Sequence, residues 1–139
     1  MSLLHDIPPQ QSPVPTLTPA SPSSIRLVAA VVRGQRVAVE CPPWCVVDHA
    51  AQDLAYLDDL SHDGEVATLP VRQFDGSVEQ ILTTHLTQWP FADNGEAYIS
   101  VDADGSGECN AYHGAAGLAF ADQLVAHAER IRRLVHVLN

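Results

Sequence analysis

From residue 25 onward the apolar positions fall mostly into short runs with a period of two, and the period changes only near the C-terminus. Ile25–Val32 is a β-branched apolar run, and Arg33-Gly34-Gln35-Arg36 reads as a tight turn in which glycine supplies positive φ. Val37-Ala38-Val39 then alternates into Cys41, and Pro42 and Pro43 stop the strand. The pattern predicts a β-hairpin that delivers the chain to a cysteine loop. Further on, Glu65–Gln73, Val78–Trp89 and Ala97–Val101 carry strand character, separated by Asp75-Gly76 and by Asp93-Asn94-Gly95. Three strands joined by short glycine turns predict an antiparallel meander. Between hairpin and meander, Ala50–Leu60 fits a short helical turn or a plain loop, because Leu54, Leu57 and Leu60 recur every three residues.

From Ala121 the spacing becomes helical. Ala121, Leu124, Ala128, Ile131, Val135 and Leu138 form one apolar stripe, and Arg130, Arg132 and Arg133 sit near the end, where cations complement the helix dipole. The stripe is expected to pack on one face of the sheet. A seam with a second copy suits the same spacing but spans fewer than three heptads, so the intramolecular reading is preferred. The predicted class is α+β: an antiparallel sheet made of a hairpin and a meander, an inserted Cys/His loop, and one C-terminal amphipathic helix packed on the sheet.

Composition adds a boundary and several exclusions. Met1–Ser24 holds prolines at 8, 9, 13, 15, 19 and 22 and almost no charge, so it is read as a disordered leader, with 25–139 as a single domain. A net charge of −10 argues against nucleic acid, whose affinity comes largely from neutralised phosphates, and against anionic membranes. The start lacks the basic and apolar regions of a signal peptide, and the run Leu27–Val32 is too short to span a bilayer. The expected compartment is the cytoplasm, where a cysteine pair is more often a metal site than a disulfide.

The chemistry concentrates in Cys41-Pro42-Pro43-Trp44-Cys45-Val46-Val47-Asp48-His49 and in His62. Two thiols and two imidazoles fall within 22 residues of a chain holding three cysteines. This is the ligand set of a closed tetrahedral zinc site. If Val46–His49 forms one helical turn, Cys45 and His49 project from the same side. Asp48 or Asp63, each beside a candidate ligand, is positioned in sequence to orient a ring nitrogen. Trp44 is expected to pack over the site.

Rival readings stay open. Cys41, Cys45 and His49 make a three-ligand catalytic site with His62 as general base, although neither the deaminase nor the His-Glu-x-x-His signature is present. A Cys41–Cys45 disulfide and a thiol-based redox sensor are further alternatives. Cys109 and His113 form a second Cys/His pair able to replace one ligand. Asp102, Asp104, Ser106 and Gly107 match the first half of a calcium loop, but position twelve is His113 in place of glutamate. Trp89-Pro90-Phe91 reads as core or edge packing in preference to an exposed hot spot.

Cys41-Pro42-Pro43-Trp44-Cys45 with Asp48-His49 and His62 resembles an uncharacterised family of small proteins from high-GC bacteria, actinobacterial in type. That family has a Cys-Pro-x-Trp-Cys…Asp-His…His segment between strands, followed by an Ala/Leu-rich helix. The resemblance covers residues 37–138, most strongly 41–62. It implies the same ligand assignment and no known activity. Cys109 and His113 depart from it, standing where an ordinary helix cap is expected. The resulting expectation is a non-enzymatic accessory domain that binds another protein.

Overall fold

Arg33 and Gly34 both adopt positive φ, 51° and 75°, in a two-residue turn whose twist matches the strands on either side. The turn pairs β1 (Arg26–Val32) with β2 (Gln35–Cys41) in antiparallel register from Val32↔Gln35 to Arg26↔Cys41. The computed structural model describes residues 24–92 and 94–138. The predicted leader Met1–Ser24 therefore lies outside the described residues except for Ser24.

The equivocal segment before Leu60 is neither a regular helix nor a plain loop. It contains β3 (Asp53–Leu54), which runs parallel to the end of β1, and one 3-10 turn at Leu57–Asp59. Asp59 accepts a hydrogen bond from the Tyr56 backbone at 3.1 Å and closes that turn. The spacing of three matches a 3-10 repeat, in which such residues eclipse one another. Only Leu60 is fully buried; Leu54 is half-buried and Leu57 is exposed.

The second sheet is built on a long central strand. β4 (His62–Asp63) and β5 (Ala67–Arg72) both pair with β6 (Val78–Gln88), β4 at its end and β5 along its beginning. β7 (Tyr98–Asp102) pairs with the other edge of β6, and β8 (Cys109–Tyr112) with β7, all antiparallel. The predicted hairpin and meander are both present. β4 and β8 extend the meander to a five-stranded sheet. Gly64 lets the chain leaving β4 close on β6: a Cβ there would lie 3.3 Å from the Cβ of Leu86.

The apolar core is small. Ala30, Val39 and Leu60 form its centre, with Val28, Val37 and Leu54 packed against it. The largest fully buried side chains are Leu60, His62, Val101 and Cys41, so two of these four belong to the Cys/His cluster. A domain of this size has little apolar burial in reserve, which gives weight to any further cross-link.

The helix α1 (Gly114–Val137) follows β8 directly. Its start meets the sheet: Tyr112 stacks on Phe120 with ring centroids 4.7 Å apart, and Gly117 and Phe120 are half-buried. Past that point the expected packing is not met, since every residue from Ala121 to Leu138 is exposed. Amphipathic spacing marks which helix face is apolar, whereas coverage depends on how far the sheet extends beneath it.

Candidate metal centre

Cys41 is the last residue of β2, and its side chain is buried at the hairpin's open end. The following Pro42-Pro43-Trp44-Cys45 turn is closed by the Cys45 N–H donating to Pro42 O at 3.1 Å. Two prolines limit the freedom of this loop before it folds, so less entropy is lost in holding Cys45. The Val46 N–H then donates to Asp63 O at 2.9 Å, tying the loop to β4. The helical turn considered for Val46–His49 does not form: Val46–Asp48 has no regular secondary structure, and His49 opens a separate turn. That turn is held by Asp48 Oδ1, which accepts from the Ala50 N–H at 3.1 Å. His62 comes from β4, whose pairing with Gln88 fixes it to the second sheet.

These four residues converge. One ligand atom from each of Cys41, Cys45, His49 and His62 lies within 4.8 Å of the others, and all four side chains are buried. His49 Nε2 sits at the hub, 3.8 Å from Cys41 Sγ, 3.5 Å from Cys45 Sγ and 3.1 Å from His62 Nδ1. The two rings meet edge to face at 85°. A single ring nitrogen has one proton or one lone pair and cannot satisfy three neighbours by hydrogen bonding. Tetrahedral bonds of about 2.0–2.3 Å imply ligand–ligand edges of roughly 3.3–3.8 Å, and the distances around His49 fall close to that range. The cluster is thus able to bind a metal ion, with Nε2 of His49 and Nδ1 of His62 turned inward. Cys41 and Cys45 are free thiols, not a disulfide.

Burial sets the electrostatics of the four groups, in favour of the ligating form for the imidazoles and against it for Cys41. Burial pushes both imidazoles below their ordinary value, His49 by desolvation and His62 by desolvation and its histidine neighbour. They are thereby held neutral, the form that ligates metal. Burial also raises the Cys41 thiol, reinforced by Cys45, while Arg26 pulls the other way. The guanidinium Nη2 of Arg26 lies 3.7 Å from Cys41 Sγ and donates to Cys45 O at 3.2 Å. Arg26 was not singled out from the sequence, yet a signal existed. A two-residue turn at 33–34 pairs Arg26 with Cys41 by counting alone.

The surroundings correct one expectation. Neither Asp48 nor Asp63 hydrogen-bonds a ligand ring. Asp48 is engaged by its own turn, and Asp63 takes the Ser61 hydroxyl at 2.8 Å and lies 3.7 Å from His85 Nε2. The His62 ring hydrogen-bonds the Glu40 backbone instead, and His49 Nδ1 is buried without a hydrogen-bond partner among the described residues. Both carboxylates still act on His49 through space, favouring its charged form. Trp44 is half-buried beside the site and borders a groove of about 390 Å³ with Pro42, Pro43, His62 and Pro90.

The other candidates lie apart from the cluster. Cys109 is exposed on β8, and His113 stands at the N-cap of α1 with its ring 5.3 Å from Tyr98. Neither replaces a ligand. Asp102 spends its carboxylate on two backbone N–H groups, those of Gly105 and Gly107, each at 2.8 Å. Asp104 likewise caps Ser106 at 3.0 Å. The calcium-like stretch is therefore a self-bonded turn, and the Cys/His group is the one metal-competent cluster among the described residues. Trp89 and Phe91 are both exposed by more than a third, so they are not core.

With the geometry in place, the class is a small α+β domain with a buried four-residue Cys/His centre. The chain belongs to the family described as Domain of unknown function (DUF6907), whose model matches residues 8–139. No curated protein and no solved structure matches it. None of the described helices is long and apolar enough to cross a membrane.

Proposed function

We propose that this chain is a structural zinc domain that works without catalysis, by binding another protein, in the cytoplasm. The carrying observation is the convergence of four buried N and S ligand atoms within 4.8 Å. A donor set of two thiolates and two imidazoles favours zinc over harder cations. His62 supports the closed reading: its Nδ1 is turned to the same point as the other three ligand atoms, 3.1 Å from His49 Nε2. A general base would be turned toward a substrate.

The centre also joins the two sheets. Cys41 belongs to the first, His62 to the second, and Cys45 and His49 to the loop between them. A metal there cross-links the two sheets, while the small apolar core draws only on the first sheet and Leu60, so its binding energy is folding energy. The acidic surface suits a protein partner better than nucleic acid or an anionic membrane. The predicted leader–domain division at residue 24 is retained within this reading.

Cobalt(II) substitution tests it. A four-ligand site should give the intense visible spectrum of tetrahedral cobalt with thiolate ligation, unchanged by added azide. A weak spectrum that shifts with azide would reveal an open position and favour a metalloenzyme using His62 as base.

A further inference from the structure

The 24 residues of α1 make a helix about 36 Å long, and only its first turns meet the sheet. Between those turns and the sheet runs an apolar cleft of about 530 Å³, bordered by Leu86, Ile99, Phe120 and Leu124. A smaller hollow of about 230 Å³, bordered by Leu69, Leu82 and again Leu124, continues it across β5 and β6. Beyond Leu124 the helix carries Ile131 and Leu134 and ends on Leu138, exposed by 49%, 59% and 85%. An open sheet-side groove and an uncovered helix stripe thus occur in one chain.

The charges are divided in the same way. Residues 24–113 hold fourteen acidic side chains and four arginines, whereas residues 123–138 hold Arg130, Arg132 and Arg133 against Glu129 alone. Arg132 pairs with Glu129, leaving Arg130 and Arg133 as net positive charge on the far turns. A partner that presents both an apolar groove and an acidic surface is this chain itself.

We propose that the occupant of the groove is the helix of a second copy. The two helices run antiparallel, and each copy's far turns lie in the other's helix–sheet groove. The contact is self-complementary, so it closes as a twofold dimer and does not propagate. Burying the stripe supplies the affinity, and the basic turns meeting the acidic body supply orientation. An anionic lipid surface would also take a basic amphipathic helix, but the acidic body opposes approach to it.

Sedimentation equilibrium on the full chain tests the proposal, with zinc content measured on the same samples so that loss of the dimer and loss of the metal are distinguished. The wild type should be a dimer at micromolar concentration. Ile131→Glu, at an exposed position, should raise the dimer dissociation constant by roughly 30-fold or more while leaving circular dichroism and zinc content unchanged. Arg130→Glu with Arg133→Glu should weaken the dimer most at low salt. A wild type that stays monomeric, or an Ile131→Glu dimer as tight as wild type, would overturn it. So would a monomer that binds vesicles rich in phosphatidylserine.

Discussion

Replacing His62 with Ala is expected to abolish stoichiometric zinc binding and lower stability by about 4 kcal/mol or more, on the order of 15 °C in melting temperature. His62 is 1% exposed, its Nδ1 lies 3.1 Å from the hub nitrogen of His49, and its strand is an edge of the second sheet. The substitution removes a ligand, a large buried side chain and the link between sheets at once. His62→Cys separates these effects, since a thiolate keeps the fourth ligand while losing the ring. Retention of zinc in His62→Cys, with its loss in His62→Ala, assigns the effect to ligation. Zinc at one equivalent in His62→Ala, with an unchanged melting curve, would place His62 outside the ligand set and promote the catalytic reading.

Leu60→Ala is expected to cost about 3–4 kcal/mol, near the middle of the range for truncating a fully buried leucine. Leu60 is 0% exposed and joins Ala30 and Val39 at the centre of a core with few other members. So small a core has few groups able to collapse into the space left behind. Leu60 also lies two residues before His62, so loosening it should weaken metal affinity as well as lower the melting temperature. Leu60→Met, which nearly conserves volume, should cost less than about 1.5 kcal/mol. Chemical denaturation of the three proteins, each with and without a chelator, checks both effects. Equal stability of Leu60→Ala and wild type would mean that the first sheet does not depend on this packing.

The Cys/His cluster was legible because cysteine is scarce and the four residues fall within one short segment. Hairpin and meander were legible from period-two runs bounded by Gly turns. What escaped has physical reasons. β8 holds four residues, three of them exposed, so it carries no apolar alternation to read. β3 is two residues long and depends on pairing with Val31 and Val32, which no local pattern announces. A helical turn at Val46–His49 was one option for bringing Cys45 and His49 together, but the Ala50 N–H that would close it on Val46 O bonds Asp48 Oδ1 instead. The carboxylates next to the ligands in sequence turned to their own loop and to Ser61 and His85, because adjacency along the chain does not set side-chain direction. Arg26 shows the converse: counting back from a two-residue turn at 33–34 puts it opposite Cys41, a signal present in the sequence but not read. The helix stripe marked an apolar face, but periodicity carries no information about how much of that face the sheet covers.

The central claim is that the four buried ligands hold one structural zinc. Elemental analysis of protein purified without added metal tests it most directly. The account predicts close to one zinc per chain, removed by a chelator with loss of the cooperative thermal transition. A protein that is free of metal, cannot be loaded with zinc, and still unfolds cooperatively at the same temperature would contradict it.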